Sequence, residues 1–216
     1  MARRQPISPL RNGASLQRKS GRKPPRSITL IVCEGETEEA YFQAARRHFG
    51  LTSAEVVVAE NTVGAAPISV VQCAETKCAE PGGYDKVYCV FDRDGHESFD
   101  RARSKIEALA GRRRAPLPIE AAISVPCFEL WVLLHHERTD AAFARCQEVV
   151  DRIRHRHLPG YRKADATVSR QLVALIETAV RNADWLEALR EANDGNPYTS
   201  VHRIIRRFRE AAEQQT

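Results

Sequence analysis

Residues 27–39, SITLIVCEGETEE, run from an apolar, β-branched segment straight into a group of acids. An apolar run without alternation suits a strand covered on both faces, as in a parallel sheet packed between helices. Past the acids, Ala40, Tyr41, Ala44, Ala45, His48 and Phe49 recur at helical spacing, which predicts a helix over 36–49. Residues 86–94, KVYCVFDRD, repeat the arrangement, with a strand expected over 86–91 and Asp92 and Asp94 beyond its end. A strand over 55–59, a helix over 67–79 opening on Pro67, a helix over 98–110 and a strand over 120–124 fill the intervals. Strand and helix alternate as far as residue 125, which predicts an α/β fold whose parallel sheet is flanked by helices and joined by right-handed crossovers.

Beyond Pro126 the pattern changes. Residues 128–136, FELWVLLHH, are apolar nearly all round, as expected of a helix inside the molecule. Further helices are expected over 140–155, 167–191 and 197–213, the last with Val201, Ile204, Ile205 and Phe208 in one stripe. The chain of 216 residues therefore divides into a basic tail at 1–26, an α/β core at 27–125 and a helical C-terminal part at 126–216 packed on the core.

Eight of the 33 basic residues precede Ile28 and none of the 28 acids does, so the remainder holds 25 bases against 28 acids. The tail, rich in Pro, Ser, Gly and Arg, is expected to be flexible, either as a sequence-blind phosphate-binding arm or as a solubilising leader. No apolar run approaches the roughly 18 to 20 residues of a membrane span, and the first residues lack the apolar stretch of a secretory signal. A cytoplasmic protein is the expectation, with its six cysteines as reduced, mostly buried thiols, since none forms a C-x-x-C pair.

Ligands gather at the carboxyl ends of strands in parallel α/β sheets. Two apolar strands deliver acids to that edge: Glu34 ends one, and Asp92 and Asp94 end the other. Two residues apart on an extended backbone, Asp92 and Asp94 face the same side. Carboxylates converging there would repel one another unless a cation neutralised them. Oxygen donors without Cys or His at ligand spacing suit Mg²⁺ or Mn²⁺. Each feature also has a plainer reading. Acids at 36, 38 and 39 favour a helix's first turn whatever the function, and an isolated D-x-D is common where strands turn.

In combination the motifs resemble a known family. Glu34-Gly35 with Glu38, an E-G-x-x-E, and Asp92-Arg93-Asp94 look like the acidic motifs of the Toprim domain found in topoisomerases, bacterial primases and nucleases of the overcoming-lysogenisation-defect class. More narrowly, IVCEGETEEAYF, VFDRDGH, SVPCFELWVLLHH, the YRK at 161–163 and NPYTSVHRII resemble the RloB-like family over about 27–210. The resemblance implies a Toprim-like Rossmannoid sheet, Mg²⁺ or Mn²⁺ as cofactor, and nuclease activity on DNA or RNA in bacterial phage defence or abortive infection, with an ATPase partner in some systems. It implies Glu34, Glu38, Asp92 and Asp94 as metal ligands, with Glu34 also a candidate base. His96 stands where some Toprim proteins carry a further acid, which puts a second metal in question.

Other residues are candidates on their chemistry. Lys163, in a basic stretch, is positioned by type to stabilise a pentavalent phosphate. Ser124, Glu129 and His135 follow the fourth strand and are candidates to support the site. A carboxylate in the apolar run of Glu129 needs a metal, Arg or Lys as partner. Arg112, Arg113, Arg114, Arg154 and Arg162 are candidate nucleic-acid contacts, or solvated helix and loop faces. Two other functions compete: a non-catalytic module that binds a nucleotide or an ATPase, and a haloacid-dehalogenase-like phosphatase, because Phe91-Asp92-Arg93-Asp94-Gly95 also matches h-D-x-D-G. The chain has no Walker A motif, so any ATPase activity must belong to a partner.

Overall fold

Side-chain alternation along strands buried on both faces divides the core into two halves. In the computed structural model, which describes residues 28–59, 66–93, 95, 97–189 and 195–215, strand β1 (Thr29–Cys33) sends Leu30 and Val32 to one side and Ile31 and Cys33 to the other. The first side is covered by helices α2 (Pro67–Ala79) and α3 (Phe99–Ala110), through Val70, Val71, Ala74, Ala102 and Ile106. The second is covered by α1 (Glu36–His48) together with the C-terminal helices, through Tyr41, Phe42, Leu130, Trp131, Ile204 and Phe208. The Arg-rich tail at 1–26, Asp94 and His96 lie outside the described residues.

Strands β2 (Ala54–Val58), β3 (Lys86–Asp92) and β4 (Ile119–Val125) pair in parallel with β1 or with one another, in the order β2-β1-β3-β4-β5. The alternation of apolar strands and amphipathic helices read from the sequence is therefore the observed mixed α/β architecture. The fifth strand was not expected: β5 (Tyr198–Thr199) pairs antiparallel with Ser124 and Val125. Residues 197–201 are consequently not helical, and α8 begins only at the next position (His202–Glu213). Ser200 completes the join by accepting the Ile123 backbone N–H on its Oγ at 2.9 Å.

The other C-terminal helices are α4 (Glu129–Leu134), α5 (Cys146–Arg156), α6 (Ala166–Leu172) and α7 (Ile176–Leu189), with a 3₁₀ turn at Val173–Leu175. The expected helix at 140–155 thus starts six residues late, and that at 167–191 is broken by the 3₁₀ turn. A tertiary clamp explains the late start. Asn196 accepts the Phe143 N–H on Oδ1 at 3.1 Å and donates from Nδ2 to the Phe143 carbonyl at 2.8 Å, holding that segment out of helix. Asn196→Ala is expected to lower stability by about 1–2 kcal/mol, seen as a lower urea midpoint with an unchanged m-value.

The cysteines also depart from expectation. Cys33, Cys73, Cys78 and Cys89 are in no disulfide, but Cys127 and Cys146 are joined in one with Cα atoms 5.5 Å apart. Nineteen residues of separation carry no spacing signal; the pair meets because the chain after α4 doubles back to start α5 beside the end of β4. No helix among the described residues is long and apolar enough to cross a membrane.

Candidate functional site

Strand order β2-β1-β3-β4 makes the chain reverse direction across the sheet between β1 and β3. The connections leaving these neighbouring strands run to opposite faces, opening a crevice at their carboxyl ends. The acids of both strands stand there. Glu34, the residue after β1, is buried; its N–H donates to the Val90 carbonyl at 3.1 Å, and its Oε2 accepts the Asp92 backbone N–H at 3.1 Å. The two acidic motifs, 58 residues apart in the chain, are thus joined directly.

Glu38 comes from the first turn of α1 and is 6 % exposed. Its carboxylate folds back over Gly35, where a Cβ would lie 3.1 Å from Glu38 Oε2. A side chain at position 35 would therefore crowd that carboxylate, and this is the physical content of the glycine in E-G-x-x-E. Glu129 opens α4 and is 2 % exposed, a carboxylate inside an otherwise apolar wall. Asp92, at the end of β3, has a buried Oδ1 with no hydrogen-bond partner.

The charges act on each other. Burial pushes Glu38 up to about 7, with Glu129 and Glu34 adding to the shift while its own backbone N–H and Lys163 oppose it. Asp92 is held well above the usual carboxylate range, first by burial, then by Glu38, Glu129 and Glu34, against the Phe128 backbone N–H. Buried carboxyls raised in this way form a site that a cation would complete.

Positive charge comes from the loop after α5. Lys163 Nζ lies 2.9 Å from Glu129 Oε1, so the buried carboxylate and the basic stretch, noted separately in the sequence, are partners. The loop is pinned at both sides: Ala164 N–H donates to Thr37 Oγ1 in α1 at 3.2 Å, and Arg154 Nε donates to the Tyr161 carbonyl at 3.0 Å. Arg162 is exposed and pairs with Asp165 at 3.6 Å. Arg154, Arg162 and Lys163 therefore share the rim that carries Glu129.

Three groups of candidates fall elsewhere. Ser124 is next to Asp92 in register, but its hydroxyl is engaged with Thr199 Oγ1 at 3.2 Å and ties down β5. His135 is turned into the core. Its Nδ1 lies 2.8 Å from the Trp131 carbonyl, which can only accept, so that nitrogen carries the proton and Nε2 accepts from Tyr41 Oη at 3.0 Å. Burial lowers His135 to about 3, leaving it neutral and structural. Arg112, Arg113 and Arg114 follow α3 and precede β4, at the edge of the sheet opposite the acids, and Arg112 pairs with Glu75 at 2.8 Å. They cannot reach a phosphate held at the crevice.

The donor set fits a hard divalent cation: carboxylate oxygens, one of them buried and unpartnered. Among the described residues no three of these acids close into a tight cage. The ligand atoms that come within 4.8 Å of one another belong instead to Cys127, Glu129 and Cys146. An open arrangement of this kind suits Mg²⁺, which keeps several waters and takes one or two carboxylates.

A family model described as "RloB-like protein" matches residues 29–208. No curated protein and no solved structure matches the chain.

Proposed function

Because the chain belongs to the RloB-like family, we propose that it is a divalent-metal-dependent nuclease that hydrolyses phosphodiester bonds in DNA or RNA, with a Toprim-type acidic site, and that it serves bacterial defence against phage. The observation that carries the reading is Asp92 Oδ1, buried and without a partner among Glu34, Glu38 and Glu129. In this reading Asp92, Glu34 and Glu38, with Asp94 following in the chain, hold Mg²⁺ or Mn²⁺. When bound, such an ion supplies Lewis-acid stabilisation of the phosphate and lowers the pKa of water.

The chain's own groups do the rest. The Asp92 backbone N–H orients Glu34, which in this reading also serves as the base for an attacking water. Lys163, 56 % exposed at its side chain yet anchored on Glu129, presents its ammonium to a non-bridging phosphate oxygen as charge develops there. Arg154 and Arg162 neutralise flanking phosphates along the same rim. Lys163→Met is expected to slow cleavage about 100- to 1000-fold with little change in metal affinity, a difference that single-turnover rates and metal titration separate. Binding to nucleic acid should weaken steeply with salt, and the slope of log K against log salt should flatten in Arg154→Gln, Arg162→Gln protein; an unchanged slope excludes these contacts.

The test is incubation of the purified protein with Mn²⁺ and a panel of DNA, RNA and tRNA, beside an Asp92→Asn variant. Cleavage that Asp92→Asn leaves intact rejects the site. Metal binding without cleavage of any substrate favours the non-catalytic module that docks on a nucleotide or an ATPase partner. A covalent phosphate trapped on Asp92 favours the phosphatase reading.

A further inference from the structure

The Cys127–Cys146 disulfide has no place in the chemistry above, yet it forms part of the wall of the acidic centre. Cys127 stands between the end of β4 and Phe128, whose N–H faces Asp92, and Cys146 is the first residue of α5. Cys146 Sγ lies 3.1 Å from Glu129 Oε2 and 3.6 Å from Lys163 Nζ. The two residues differ in access, because Cys127 is 1 % exposed whereas Cys146 is only partly buried. A bond that serves only as a brace needs neither a partly exposed cysteine nor an ammonium beside it. Open, polar surroundings are those of labile disulfides.

We propose that Cys127 and Cys146 are an oxidant-sensitive dithiol, closed by peroxide and opened by dithiols through the sulfur of Cys146. Closure begins when the Cys146 thiol attacks a peroxide oxygen, giving a sulfenic acid and releasing water. The Cys127 sulfur then attacks the sulfenic sulfur, the S–S bond forms, and the hydroxyl leaves with the Cys127 proton as a second water. In the reverse direction one thiolate of a dithiol attacks Cys146 Sγ and Cys127 departs, taking up a proton. The second thiol of the reductant then displaces Cys146 and leaves as a cyclic disulfide. Negative charge developing on Cys146 in that last step is stabilised by Lys163 and by the first turn of α5, whose backbone N–H groups carry partial positive charge. Opening also releases the tie between the β4 end and α5 and frees a sulfur to compete with Glu129 for Lys163. The dithiol stands whether or not the acids bind a cation, so its test uses no nuclease assay.

Full-length protein, fully reduced and then exposed to hydrogen peroxide with the reductant removed, is alkylated with N-ethylmaleimide and mapped by mass spectrometry. The expected result is loss of alkylation at Cys127 and Cys146 alone, a linked peptide containing both, and recovery of both sites after dithiothreitol under native conditions. Cys127→Ser should leave Cys146 as a sulfenic acid captured by dimedone, and Lys163→Met should slow native reduction several-fold. The proposal is overturned if peroxide leaves both residues alkylatable, if Cys73 or Cys78 oxidises in their place, if the bond opens only after unfolding, or if the reduced pair holds zinc and resists peroxide.

Discussion

Asp92→Asn is expected to abolish Mn²⁺-dependent phosphodiester cleavage, with a loss on the order of 10³-fold or more, while leaving the metal-free protein at least as stable as wild type. The loss follows because metal-ion charge stabilisation contributes several kcal/mol and Asp92 offers the unpartnered buried oxygen of the crevice. The stability half follows from electrostatics. Asp92 is crowded by Glu38, Glu129 and Glu34, so a neutral side chain of the same shape relieves repulsion. A residue present only to brace the fold would show the reverse, intact chemistry and a weaker protein. Single-turnover cleavage and urea denaturation in EDTA together decide, and a variant that is active, or inactive only because it unfolds, refutes the assignment.

Glu38→Gln should stabilise the metal-free protein by an amount that grows with pH, from near zero at pH 4.5 to on the order of 3 kcal/mol at pH 8. In the folded protein Glu38 is raised from 4.5 to about 7. Below pH 4.5 the carboxyl is neutral in both states and no penalty exists. Between 4.5 and 7 the unfolded chain gives up its proton while the folded chain keeps it, so this group's contribution to stability falls as pH rises and levels off above 7. His135, lowered to about 3, acts oppositely: its contribution rises with pH until about its ordinary 6.5. The wild-type curve alone therefore mixes signs, and the difference between the proteins isolates Glu38. In wild type, stabilisation by Mg²⁺ should also increase across this range, because protons compete for the same carboxylates. A stability difference that is flat with pH would place Glu38 outside the like-charged cluster.

Much of the architecture is legible from local chemistry. Thr29–Cys33 and Lys86–Asp92 are strands because β-branched apolar runs of that length bury both faces. The helix opening at Pro67 ends at Ala79, the predicted residue, because Pro81, Gly82 and Gly83 follow; Gly82 and Gly83 take φ of 122° and 63°, the left-handed side that other residues avoid. Gly95, after the acids of β3, likewise has φ of 70°. Where tertiary contacts outweigh local preference, the reading failed. Asn196 holds the segment around Phe143 extended, and β5 takes residues that helical periodicity assigned to α8.

At the site, the sequence alone determined which acids end the strands, because strand length and the polarity change at Glu34 and Asp92 are local properties. It also marked Glu129 as a carboxylate in need of a partner. Only the tertiary structure decided that the partner is Lys163, that Ser124 and His135 are engaged elsewhere, that Arg112, Arg113 and Arg114 face the opposite edge, and that Cys127 meets Cys146. The physical reason is the same throughout. A side chain's periodicity records whether it is buried, but its partner depends on how distant segments pack, and no short-range pattern encodes that.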